Sequence, residues 1–188
     1  MWSVPPRPYA APMRAVRTIS LALALVLAAP LAACSGAHGA QAWAASVCTA
    51  LAPWRSEIST LTTRTQQQMT KRTTPAQAKE NLSQLFEGAR VASEKARAGV
   101  ERAGVPDVDD GESIAAAFTG ALSGMRDAYG TAHDGIEGLS TDPTDTFYTG
   151  VGKVVDRLNS EYEQSGLDTS KLDSVELKDA FESLPECQ

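Results

Sequence analysis

The spacing of apolar residues constrains the fold of this chain more than any other feature of its sequence. Apolar side chains recur at alternating steps of four and three in four long segments; one of these segments carries Val47, Leu51, Trp54, Ile58 and Leu61. This is the period of one face of an α-helix, and no comparable run alternates with the period of two that a strand requires. The pattern therefore predicts an all-α fold.

Capping residues and glycines divide this pattern into five predicted helices. Residues 74–77 supply a capping hydroxyl, a proline at the first helical position and a reciprocal glutamine, while Gly104 and Gly166 are typical of helix ends. We predict helices near 43–71, 76–103, 110–138, 143–165 and 171–184, with a kink or a fresh start at Pro53. Short connections favour an antiparallel four-helix-type bundle, closed at one end by the short fifth, C-terminal helix.

The N-terminal region carries the order of features that directs a chain to export. Arg14 and Arg17 precede an apolar run over residues 18–29 that is too short for a membrane span. The sequence Leu31-Ala32-Ala33-Cys34, followed by small residues, resembles the lipobox of bacterial lipoproteins. That resemblance implies cleavage before Cys34 and attachment of diacylglycerol to its thiol. The alternative is an ordinary secretory signal that is cleaved elsewhere and releases the protein.

This interpretation divides the chain into three parts. Residues 1–33 are a signal peptide, with Met13 as an alternative start because the proline-rich residues 1–12 fit no signal region. Residues 34–42 form a lipidated tether, in which the Gly- and Ala-rich residues 35–41 have an end-to-end distance of roughly 15 Å. Residues 43–188 form the helical bundle domain, which is large enough for a single core. The predicted location is extracytoplasmic, with the lipid on Cys34 as the membrane partner.

The charge balance excludes one class of partner. The whole chain has a formal net charge of −6, and removal of the signal peptide takes away arginines but no acidic residue. Nucleic-acid binding needs clustered Lys and Arg, whereas the basic residues here are scattered among carboxylates. We therefore expect no nucleic-acid partner, and no membrane adhesion through a basic patch.

The three cysteines divide into one anchor and one pair. If Cys34 is lipidated, Cys48 and Cys187 remain as an even pair in an oxidising compartment, which predicts a disulfide between them. The alternative is two buried free thiols. A bridge would bring the first helix and the chain end together at one end of the bundle.

Two polar features suggest metal sites at first sight. The acidic run at residues 107–112 places Gly111 and Phe118 where a calcium loop of the EF-hand type needs ligands, so an acidic helix start at Asp109 and Glu112 fits it better. His133 is the only histidine of the predicted domain and does not define a zinc or haem site. We expect no metal, no cofactor and no catalytic residues, because no nucleophile motif is present either.

Small residues on the third predicted helix suggest a possible groove. Gly120 and Gly124 follow two alanines, and glycine within a helix costs about 1 kcal/mol relative to alanine, so a compensating interaction is expected. The simplest compensation is close approach of the Ala-rich second helix. The alternative is a groove beside Phe118, Leu122 and Met125 that admits a ligand or a partner helix.

The two tryptophans of the domain have different predicted roles. Trp54 lies on the apolar seam of the first helix, which favours packing in the core over stacking on a ligand. Trp43 lies beside the tether, where an indole could contact lipid headgroups.

The contexts of the paired cysteines carry a second resemblance. Residues 43–48, residues 50–54 and the closing residues 177–187 resemble small helical secreted proteins and lipoproteins of actinobacteria. The resemblance implies an envelope protein with a disulfide and transfers no active site.

These observations lead to two functional hypotheses. The first is a non-enzymatic interaction or structural module of the cell envelope, bound to an unknown envelope protein. The second is a binding protein for a small apolar or peptide-like ligand held within the bundle. A pocket of several hundred Å³ lined by Phe118, Leu122 and Met125 would favour the second hypothesis, and a filled core would favour the first.

Overall fold

Five α-helices account for most of the chain in the computed structural model, which describes residues 39–165 and 172–188. They are α1 (Ala40–Gln68), α2 (Pro75–Arg102), α3 (Gly111–Glu137), α4 (Thr144–Ser165) and α5 (Val175–Ser183), followed by a 3₁₀ turn at Pro185–Cys187. The prediction of an all-α fold with four long helices and a short C-terminal one is confirmed. The predicted helix end at Gly166 and the predicted start at residue 171 lie outside the described residues.

The caps explain where several of these helices begin and end. At the start of α2, the Thr74 hydroxyl accepts a hydrogen bond from the Gln77 backbone N–H, and the Gln77 side chain accepts one from the Thr74 backbone N–H. This is the predicted capping box. Gly104 follows α2 with φ 72°, in the left-handed region that ends helices. At α3 the predicted start at Asp109 is wrong, because the capping position is Asp110 and its side chain makes no capping hydrogen bond, whereas Glu112 lies in the first helical turn as predicted.

Two other boundaries differ from their predictions. Helix α1 begins at Ala40, three residues before the predicted start, and continues through Pro53 to Gln68. Residues 40–42 contain two alanines, and alanine has the highest helix propensity, so the end of the predicted tether forms the first turn of the helix.

Consecutive long helices run antiparallel. Position 99 of α2 lies against Ala50 of α1, and position 88 lies against Leu61, so the contacts step in opposite directions along the two helices. Helices α3 and α4 meet in the same manner. In the described chain, α1 packs on α2, α2 packs on α3 and α3 packs on α4, while α1 and α4 are not in contact. Helix α4 also touches α2, side chains of α1 and α3 meet in the core, and α5 packs on α1.

Two apolar clusters stabilise this arrangement. The first lies where α1, α3 and α5 meet, and its aromatic rings belong to Trp43, Phe118 and Phe181, with ring centroids 5.3 to 6.1 Å apart. The second lies at the other end of α2 and α3 and contains Phe86 and Ile136, against which α4 packs Val154. Each large aromatic side chain buries about 150–250 Å², so the first cluster supplies much of the hydrophobic stabilisation.

Candidate functional site

The paired cysteines are joined as predicted. Cys48 and Cys187 form a disulfide with an S–S distance of 2.01 Å and alpha carbons 5.0 Å apart. The bridge connects the third turn of α1 to the 3₁₀ turn at the chain end. Cys34 and the lipobox lie outside the described residues, so the predicted anchor stays a prediction.

Trp43 packs inside the protein and does not reach a membrane surface. Its side chain is fully buried against Phe118 and Phe181, and its indole Nε1 donates a hydrogen bond of 2.8 Å to the carbonyl oxygen of Gly104. The predicted contact with lipid headgroups is therefore wrong. The early start of α1 explains the difference, because it places Trp43 one turn inside the helix and on its buried face.

The five residues of the predicted groove on α3 do not come together. Phe118, Leu122 and Met125 belong to the first apolar cluster and are at most 4% exposed. Gly120 and Gly124 are exposed and line a depression of about 490 Å³ between α3 and α4. The prediction of one groove lined by all five residues is therefore wrong. Close approach of α2 is also wrong for Gly120, since a Cβ added there would meet no atom within 4 Å.

A larger groove runs along the outer surface between α1 and α2, and we call it the α1/α2 groove. Its volume is about 1120 Å³, and the central part of its lining comes from Ala50, Trp54, Ala92, Ala96 and Gly99. Small residues create it: where α1 and α2 touch, their side chains are too short to fill the valley between the helix cylinders. The groove extends from position 45 to position 57 on α1, a length of roughly 18 Å at 1.5 Å per residue.

Trp54 has a fixed position in this groove. It is half-buried, and its indole Nε1 donates a hydrogen bond of 3.0 Å to the hydroxyl of Ser93, which in turn donates to the carbonyl oxygen of Ala89. The bond to Ser93 orients the ring across α1 and α2. The prediction that Trp54 packs against the core is only partly right, because the same ring contacts the first apolar cluster and lines the groove.

The charged residues of the groove are divided between its two walls. The α1 wall carries one charged residue, Glu57, while the α2 wall carries Lys95 and Arg102. All three are exposed. Among the described residues none of them forms a salt bridge, and only Arg102 has a hydrogen-bond partner, the carbonyl oxygen of Ala98. The groove therefore has one acidic residue on its α1 wall and two basic residues on its α2 wall, and no ion pair within the described ranges involves any of the three.

The charges on the α2/α3 face are, in contrast, paired. Glu94 accepts hydrogen bonds from Arg97, three residues later on α2, and from Arg126 on α3 at 3.0 Å. The hydrogen bonds from Arg97 and then Arg126 lower the pKa of Glu94 from 4.5 to about 2. This network connects two neighbouring helices and leaves no free group for chemistry.

The features that suggested metal binding have local roles in the structure. Asp110 has a φ of 57°, and Gly111 lies so close to the carbonyl of Pro106 that a side chain there would collide with it. The acidic run is thus a tight turn into α3. His133 Nδ1 lies 3.0 Å from a carboxylate oxygen of Asp134. Over residues 39–165 and 172–188, no group of three or more His, Cys, Asp or Glu side chains is placed to hold a metal ion.

Comparison with known proteins gives no further guide to the site. No family model matches the sequence, and neither a curated protein nor a solved structure is significantly similar to it. None of the helices within the described ranges is both long enough and apolar enough to cross a bilayer.

Proposed function

We propose that this protein is an extracytoplasmic lipoprotein, anchored to the cell membrane by lipid on Cys34, that acts there as a non-enzymatic interaction module. The order of basic residues, apolar run and lipobox supports the anchor. The disulfide supports an oxidising compartment, since such bridges are rare where thiols are kept reduced. The resemblance to actinobacterial lipoproteins agrees with both.

The observation that carries the interaction role is the α1/α2 groove. The core beneath it is filled, because Phe118, Leu122 and Met125 are buried, so a ligand cannot occupy the interior as the second hypothesis requires. The groove, in contrast, offers apolar floor and unpaired charges to solvent along two helices. Surfaces of this kind accept the apolar face of another helix.

A small ligand in the same groove is the second candidate. The volume of about 1120 Å³ is at or above the usual range for small-molecule sites, and the indole of Trp54 offers a flat apolar surface at its centre. This candidate moves the predicted ligand site from Gly120 and Gly124, between α3 and α4, to the α1/α2 groove.

Replacement of the anchor cysteine tests the location. In the native host, Cys34→Ser is expected to abolish incorporation of radiolabelled lipid and to shift the protein out of the detergent phase, because no other thiol follows a lipobox. The matched control is the double variant Cys48→Ser and Cys187→Ser, which should keep its label. Unchanged labelling of the Cys34→Ser protein would refute the anchor.

Photo-crosslinking from the groove tests the role. A photoreactive amino acid at Thr49, an exposed lining residue, is expected to give adducts in intact cells, whereas the same group at the exposed Thr63, outside the groove, should give none. Protein-sized adducts support the interaction module, and adducts below about 1 kDa support the ligand. Equal yields at the two positions would contradict a functional groove.

A further inference from the structure

The α1/α2 groove has a charge pattern that is complementary to itself. We infer that it is the contact surface between two copies of this chain, related by a two-fold axis that runs parallel to the groove. This inference deepens the proposed function by naming the partner.

Glu57 and Lys95 lie at nearly the same height along the groove. Position 99 lies against Ala50, and the two helices are antiparallel. Glu57 lies seven residues after Ala50 on α1, and Lys95 lies four residues before Gly99 on α2. At 1.5 Å per residue, their heights along the groove therefore differ by about 4.5 Å. They stand on opposite walls, and neither has an ion-pair partner in the parts of the chain that the structure describes.

A two-fold axis parallel to the groove pairs these charges twice. It lays α1 of the second copy over α2 of the first and keeps the height of every residue. Glu57 of each copy then faces Lys95 of the other, so one self-complementary contact gives two identical ion pairs. A two-fold axis across the groove instead lays α1 on α1 and α2 on α2. The second arrangement opposes the cationic walls, which carry Lys95 and Arg102, and offers Glu57 no cation.

The walls of the groove make the contact in this arrangement. Because α1 of each copy lies over α2 of the other, the low floor at Ala92, Ala96 and Gly99 stays open as a channel between the two copies. Val91, whose side chain is 37% exposed, and Trp54 supply apolar surface that a facing helix would cover.

The position of the tether selects the same axis. The Trp43–Gly104 hydrogen bond places the start of α1 beside the end of α2, so one end of the groove is the end from which the chain leads back to Cys34. Cys34 is five residues before Gly39, a reach of at most about 17 Å. An axis parallel to the groove leaves both chain starts at the same end, where one bilayer can hold both copies. This preference for one end depends on the proposed anchor, whereas the two Glu57–Lys95 ion pairs do not.

The size of the groove predicts a weak association. A contact about 18 Å long and two helices wide falls below the roughly 800 Å² per partner of stable complexes. We therefore expect a dissociation constant in the micromolar range in solution, and a higher dimer fraction on a membrane, where anchoring raises the local concentration.

Sedimentation velocity and zero-length crosslinking of the processed full-length protein test this inference. Carbodiimide joins carboxylates to amines, so a mixture of ¹⁴N- and ¹⁵N-labelled protein should give a mixed-isotope peptide pair containing Glu57 and Lys95. Glu57→Lys and Lys95→Glu are each expected to weaken dimerisation by about tenfold, and the double variant should recover most of the loss because its charges pair again. Asp156→Lys, at an exposed position on α4, is the matched control and should change nothing.

The outcomes separate this inference from the proposed function. A lipid-labelled protein that stays monomeric at several hundred micromolar, or a double variant that does not recover, overturns the dimer and leaves the anchor intact. If the wild-type protein carries no lipid label and the Cys34→Ser protein still dimerises normally, the anchor is overturned and the dimer is left intact. Circular dichroism of each variant shows whether its fold is retained.

Discussion

Removal of the Cys48–Cys187 bridge should lower stability by an amount that the structure allows us to estimate. The bridge spans 139 positions of the chain. In the chain-entropy account, closing a loop of that length destabilises the unfolded state by about 5 kcal/mol at 25 °C. For a domain of this size, 1 kcal/mol corresponds to about 2–4 °C, so the melting temperature should fall by about 10–20 °C.

The replacement residue should add a second, smaller effect. Cys48 is 3% exposed within the first apolar cluster, so a serine there would bury a hydroxyl among apolar side chains. A serine hydroxyl at position 48 can donate to the backbone carbonyl four residues earlier, as Ser93 does to Ala89, so its cost relative to alanine falls below the roughly 1–3 kcal/mol of a buried polar group without a partner. The variant with serine at positions 48 and 187 should therefore be less stable than the variant with alanine at both. Helical content should persist in both, because Leu177 and Phe181 still pack α5 against α1.

Thermal unfolding followed by far-ultraviolet circular dichroism measures both effects. The processed protein should be compared with the two double variants and with wild-type protein under a reducing agent, which opens the bridge without a substitution. Melting temperatures of all forms within about 2 °C of one another would refute the loop-closure argument. Equal losses for serine and alanine would refute the description of the surroundings of Cys48.

Two further predictions concern packing and charge. Gly135→Ala should destabilise the protein by about 1–2 kcal/mol in urea unfolding, because the new methyl group would lie 2.9 Å from the stiff side chain of Val154. Gly120→Ala on the same helix should stabilise the protein by about 0.5–1 kcal/mol, because its methyl group would meet no atom within 4 Å and alanine favours the helix. The reverse order would contradict the packing of α3 on α4. Glu94→Gln should lower the urea midpoint at pH 7, and its difference from the wild type should disappear as the pH falls from 4.5 towards 2. The hydrogen bonds from Arg97 hold the pKa of Glu94 at about 2 in the folded state, compared with 4.5 in the unfolded state. The stabilisation is therefore complete above pH 4.5 and is lost as the pH falls to about 2. A difference between the two proteins that does not change with pH would contradict this.

The helical period was sufficient to predict the elements and most of the buried residues. Val47, Leu51 and Leu61 all lie in the core, because a stripe repeated every three to four residues has one face to bury. The capping box at Thr74 was equally readable, since both of its hydrogen bonds are local. The start of α1 was not, because the Gly- and Ala-rich sequence before Trp43 is typical of a tether, whereas its two alanines at 40 and 42 also favour a helix.

The site could be predicted less well, for two physical reasons. Gly120 lies two residues from Phe118, and two residues turn a helix by about 200°, so the glycine strip and the predicted lining belong to opposite faces of α3. The α1/α2 groove depends on which small residues of two helices meet, as at Ala50 and Gly99, and this register is set by tertiary packing.

The position of the disulfide also determines how the protein would respond to a pulling force. A load applied through the N-terminal tether enters the domain at Gly39 and reaches Cys48 within three turns of helix. If the opposing force acts on the C-terminal residue, the covalent bond at Cys187 carries the load from that point onward. Only the ten residues up to Cys48 could then be drawn out, a length of about 35 Å. The remaining helices would carry no load and would stay folded.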